Sequence, residues 1–148
     1  MTQVSFYHLT STPIQRALPK LLEKIVAGGN KALVVTGSEE EAEQLNQLLW
    51  TYNPDSFLPH GTMKDGRLED QPILISTETT PVNKASMALV TNGQIPDNLE
   101  RFERILDIFD GNNAEAVTAA RNRWMVYKEA GHNLTYQKQT EMGGWEKT

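Results

Sequence analysis

The sequence predicts an α/β domain with a mostly parallel central sheet flanked by helices, and three observations carry that expectation. ALVVT (32–36) and PILIS (72–76) are continuous apolar runs, the pattern of strands buried on both faces. Stretches with apolar residues at helical spacing separate the strand-like segments. Strands alternating with helices in this way build a parallel sheet with crossovers packed on it.

Taken in order, VSFYHL (4–9) is short, rich in β-formers and bounded by STP, so it is a first strand. Thr12 and Pro13 mark a helix start, with proline at the first helical position. Ile14, Leu18, Leu21, Leu22, Ile25 and Val26 recur at helical spacing until Gly28 and Gly29 stop the pattern. ALVVT follows as a buried strand. Ser38 with Glu41 forms a capping-box pattern that opens a second helix over EEEAEQLNQLLW (39–50).

The loop after that helix, within LLWTYNPDSFLPHG (48–61), carries Trp50, Tyr52, Phe57 and His60, apolar bulk that something must cover. KDGRLEDQ is turn material, PILIS the next buried strand, MALVTNG (87–93) a fourth and RILDIFD (104–110) a fifth. The segment IPDNLERFER (95–104) is expected to be helical, and a long helix runs from Asn113 to Lys128. The single domain is placed at 1–136, and the polar stretch 137–148, QKQTEMGGWEKT, is expected as a loosely ordered tail.

A chain of 148 residues suits one domain with one sizeable core. No run of eighteen apolar residues occurs, so no membrane span is expected. The start MTQVSFYHLTSTP has no basic region before an apolar stretch, and the chain holds no cysteine; a cytoplasmic setting is the default. The formal net charge of −5 argues against a protein that grips the DNA backbone, or single strands on an aromatic platform, by itself.

A sheet of this kind invites a nucleotide, but the phosphate loops are missing. The first strand leads into TSTP without a glycine, and AGGNKA precedes its strand and lacks the GxxxxGK[ST] spacing. The second strand leads to Glu39, Glu40, Glu41 and Glu43, which crowd the positive end of a helix and repel phosphate. The expectation is a Rossmann-like topology without a nucleotide site, and without a cofactor or metal. His8, His60 and His132 have no ligand at helical metal spacing, and His8 reads as a hydrogen-bonded core histidine. Asp107 and Asp110 end a strand where ligands bind in open sheets, which leaves a small nucleotide-handling or hydrolytic enzyme, with His60 as a candidate base, as the alternative reading.

The richer signal is AARNRWMVYKEAGHNL (119–134). Three cations and no acid lie between Arg121 and Lys128 in an otherwise acidic chain. On a helix Arg121, Trp124, Met125 and Lys128 fall at i, i+3, i+4 and i+7 and share one face. That mixture suits a peptide bringing a carboxylate and an apolar side chain; a core tryptophan with solvated arginines at its rim fits the same spacing. Arg16, Lys20 and Lys24 form a second basic stripe whose position relative to Arg121 is open.

FYHL followed by a helix, LLWTYNPDSFLPHG, ILIS and ARNRWMVYKEAGHNL, in this order, resemble the chi subunit of bacterial DNA polymerase III, a clamp-loader accessory family. The resemblance implies no catalytic activity. It implies an adaptor that pairs with the psi subunit and grips the acidic C-terminal tail of single-stranded-DNA-binding protein, touching DNA only indirectly. It places tail binding at Arg121 and Trp124, with Met125 where the family often has lysine and Lys128 one turn along. It places the psi-facing surface at Trp50 and Phe57, and makes His60 structural.

Overall fold

The computed structural model describes residues 2–52, 58–96 and 98–147. Among these residues eight strands and three α-helices follow one another as β1 (Gln3–Leu9), α1 (Ile14–Ala27), β2 (Ala32–Val35), α2 (Glu39–Thr51), β3 (Gly61–Thr62), β4 (Ile73–Ser76), β5 (Met87–Val90), β6 (Arg104–Asp110), α3 (Ala114–Glu129), β7 (Asn133–Gln139) and β8 (Trp145–Lys147). They form one sheet in the order β3-β4-β2-β5-β6-β1-β7-β8. Every described pair is parallel except β7 with β8. The mostly parallel α/β fold expected from the apolar runs is the fold observed.

Helices α1 and α2 cover one face, burying Leu18, Leu21, Leu22, Ile25, Leu45 and Leu49 against Tyr7, Val34, Ile73, Ile75, Leu106 and Ile108. Helix α3 covers the other, with Ala120 and Tyr127 over Val4, Phe6, Ile105 and Phe109. The alternation of side chains along β1 and β6 feeds both layers. The cap of α2 forms at the expected residues: the Ser38 hydroxyl accepts from the Glu41 N–H at 3.1 Å, while the Glu41 carboxylate accepts from the Gly37 N–H at 3.0 Å, one residue before the N-cap. Pro13 sits one position earlier than expected, at the N-cap of α1.

Two expectations differ from the structure. The expected helix over 95–104 is not found among the described residues, which hold a 3-10 turn at Leu99–Arg101 and give Arg104 to β6. Ile95, Leu99 and Phe102 sit at helical spacing, but they pack from a loop against the core layer that α3 also covers. The polar end is the second difference. Strand β7 runs on to Gln139 and pairs with β1 from Gln3↔Asn133 to His8↔Lys138, and β8 folds back on it with Gln139↔Trp145. Trp145 meets the Tyr7 ring edge-on, centroids 4.9 Å apart.

The polar composition of 137–139 has a local cause. Gln139 is buried, and its side-chain oxygen accepts the backbone N–H groups of Thr10, Ser11 and Thr12 at 3.1, 3.0 and 3.0 Å, while its amide donates to the Thr12 hydroxyl at 2.7 Å. A turn that has left the β1 ladder needs such a partner for its donors.

Candidate functional site

The carboxyl ends of β5, β6 and β1 open into a crevice lined by Thr12, Pro13, Gly93, Asp110, Asn113 and Arg123, the place where open parallel sheets bind nucleotides. Its chemistry is already committed. Arg123 is buried and grips Asp107 through two bonds of 2.7 and 2.8 Å, with a third to the Gly93 carbonyl at 3.2 Å. Burial pushes the Asp107 carboxyl up, and the guanidinium, whose own charge is permanent, pulls it back. The Asn113 side chain caps α3 by accepting from the N–H groups of Glu115 and Ala116 at 3.0 and 3.1 Å. Asp110 closes the turn at Asn112 with a 2.9 Å bond. Three residues apart on one strand, Asp107 and Asp110 project to opposite faces and do not converge as a pair.

The Asp107 ion pair also redistributes the basic segment of α3. Arg123 turns inward with Ala120 and Tyr127. Arg121, Trp124 and Met125 instead line a cleft of about 410 Å³ whose other walls are Phe6, His8, Phe109, Val117, Ala120 and Tyr136. Lys128 is exposed and does not line it. The floor is an aromatic box. Phe6 stands edge-on to Trp124, Tyr127 and Phe109 at 5.4, 6.0 and 6.4 Å between centroids, and Trp124 is edge-on to Tyr136 at 6.1 Å. Trp124 is half-buried, so it serves both as a core residue and as a cleft wall. Arg121 stands exposed at the rim.

Strand register builds the rest. Phe6 lies opposite Tyr136 and His8 opposite Lys138 across β1 and β7, while His8 lies opposite Phe109 across β1 and β6. Residues paired in this way share a sheet face. His8 is therefore a half-buried cleft wall, where the sequence suggested a core position; its Nδ1 hydrogen-bonds the Tyr136 hydroxyl. Burial holds the imidazole below its ordinary range, reinforced by Lys138 and Arg121. Burial likewise raises the Tyr136 phenol, with Arg121 opposing. Gly111 is required by this packing, since a Cβ there would sit 2.0 Å from the His8 ring. Sequence reasoning missed His8 and Tyr136 as cleft residues and Lys138 as their neighbour on the same sheet face. The period-two pattern of Phe6 with His8 and of Tyr136 with Lys138 was available, but not which strands were neighbours.

The second candidate surface is on α2. Trp50 is 52% exposed, and its ring lies 4.5 Å from that of His60. His60 is buried, its ring nitrogens 2.6 Å from the Leu58 carbonyl and 3.0 Å from that of Asn46, which gives it a structural place tying the loop to α2. Phe57 lies outside the described residues. Since α2 and α3 pack on opposite faces, Trp50 and the Arg121 cleft point away from each other. Arg16, Lys20 and Lys24 are exposed on α1, on the α2 side of the sheet, so they do not extend the Arg121 patch.

Fold and site define a small parallel α/β protein with a cation-rimmed aromatic cleft, and with no glycine-built phosphate cradle among its described residues. Comparison with known proteins narrows that class. The chain belongs to the DNA polymerase III chi subunit family: the model described as "DNA polymerase III chi subunit, HolC" matches residues 1–135. It is 32% identical to the probable DNA polymerase III subunit chi of Rickettsia prowazekii over 74% of this chain and 71% of that one. It is 27% identical to the DNA polymerase III subunit chi of Haemophilus influenzae, covering 88% and 92% of the two chains. With that of Escherichia coli it shares 24% identity over 90% and 96%.

Proposed function

We propose that this chi-family protein is a non-catalytic adaptor of the DNA polymerase III holoenzyme. Its α3 cleft takes the acidic C-terminal tail of single-stranded-DNA-binding protein, and its Trp50 surface takes the psi subunit. The observation that carries the reading is the cleft itself, an aromatic slot with Arg121 at its mouth in a chain of net charge −5. An acidic tail ending in an apolar residue matches that arrangement: the cation steers and holds carboxylate, and the slot buries the end. Met125 lines the slot where the family often has lysine, so it contributes apolar contact and no charge. Exposing an indole as Trp50 does is what a partner-covered anchor looks like before the partner arrives.

Titration calorimetry with a peptide copying the tail tests this. Wild type should bind in the micromolar range, weakening as salt shortens the screening length toward ~8 Å at physiological ionic strength and below. Arg121→Ala should weaken binding by about tenfold or more, the usual effect of losing a charge-assisted hydrogen bond. Equal affinity of wild type and Arg121→Ala would remove the tail from this cleft.

A further inference from the structure

Beside the α3 cleft stands a cation that its helix does not supply. Lys138 stands directly across from His8 in the β1–β7 pairing, on the same sheet face, and Arg121 approaches the same imidazole from α3. The ring is fixed between Phe109, centroid 5.0 Å away, the Gly111 backbone and the Tyr136 hydroxyl. One half-buried imidazole thus sits between two exposed cations in a cleft open to solvent. The charged and titratable groups around it are Arg121 from α3, Lys138 and Tyr136 from β7, and Asp110 from β6, of which only Asp110 favours its protonation. Such a cluster is frustrated when empty and relieved by an anion.

Resting on the peptide-binding reading given above, we propose that His8, Tyr136 and Lys138 form with Arg121 a second carboxylate subsite in this cleft, and that filling it draws a proton from solvent onto His8. The ligand class is an acidic peptide whose apolar end lies in the aromatic slot and whose neighbouring carboxylate reaches the β7 side. The hydrogen bonding supplies the coupling. In the empty cleft the neutral ring accepts the Tyr136 hydroxyl proton at Nδ1. Once Nδ1 takes a proton from a hydronium ion or a buffer acid, it donates to the Tyr136 oxygen. The phenol proton is then free to turn to the bound carboxylate. The one covalent change is the new Nδ1–H bond, matched by the proton lost from the solvent acid, and the net uptake is a fraction of one proton, largest between the His8 pKa values of the empty and filled cleft.

The test uses a short synthetic peptide of aspartates ending in phenylalanine with a free carboxylate, titrated into the full chain from pH 8 to pH 5.5. Wild type should tighten roughly three- to tenfold as pH falls through the histidine range, equivalent to a binding-induced rise of half to one pKa unit. Calorimetry in two buffers of different ionisation enthalpy should report proton uptake, and the His8 ring signals in NMR should titrate at higher pH with peptide present. In His8→Leu the affinity should no longer change between pH 8 and pH 5.5. Lys138→Gln should weaken binding by about three- to fivefold and flatten the salt dependence, as expected for a partly exposed ion contact. If wild type binds through Arg121 but neither variant changes the pH or salt profile, the subsite is overturned and the adaptor reading stands. If wild type does not bind, both fall.

Discussion

Asp107 and Arg123 set the sharpest energetic condition on single residues. Their side chains are almost wholly inaccessible and joined by two short bonds, so Arg123→Ala leaves a carboxylate buried without its counter-charge. Urea unfolding should record a loss of about 3–5 kcal/mol, whereas the double variant Asp107→Leu with Arg123→Met should recover most of it. A small loss for Arg123→Ala alone would contradict the pair's structural role. His8 gives a second residue-scale expectation. Its folded pKa is depressed, so its contribution is complete above the ordinary 6.5 and is lost as pH falls through the lower folded value. Thermal unfolding should therefore show wild type losing stability below about pH 6.5 more steeply than His8→Leu, and parallel curves would refute the assignment. The sequence made Arg121 and Trp124 visible through helical spacing. It could not separate Arg123 from them, because the partner that draws Arg123 inward lies on another element.

Among the elements, β7 and β8 account for most of what the sequence left unread. Continuous apolar strands announce themselves, and 32–35, 73–76 and 104–110 matched their runs closely. Strand β7 packs Leu134 and Tyr136 against the core, but its last residues, 137–139, are polar, so composition alone put them in a tail. The opposite error arose at 95–104, where Ile95, Leu99 and Phe102 keep helical spacing in a loop that caps the sheet. Gln139→Ala tests the role of β7: three turn N–H groups lose their acceptor, and stability should fall by about 1–3 kcal/mol. Hydrogen exchange at Thr10, Ser11 and Thr12 should speed up selectively; unchanged protection there would show that the strap is dispensable.

Across the whole molecule, the sheet separates two surfaces of different chemistry. One face carries α1 and α2 with exposed Trp50, and the other carries α3 with the cationic slot. Surfaces without shared residues act almost additively, which is what a linker between two partners requires. A net charge of −5 disfavours the DNA backbone, with Arg121 and Lys138 as a local cationic exception. The central claim is that one chain holds two partners on opposite faces at once, and it is tested most directly by saturating the protein with the psi subunit and then titrating in the acidic tail peptide. The account predicts the same tail affinity with and without psi, loss of tail binding alone in Arg121→Ala, and loss of psi binding alone in Trp50→Ala. Release of psi by the peptide, or one substitution abolishing both interactions, would contradict it.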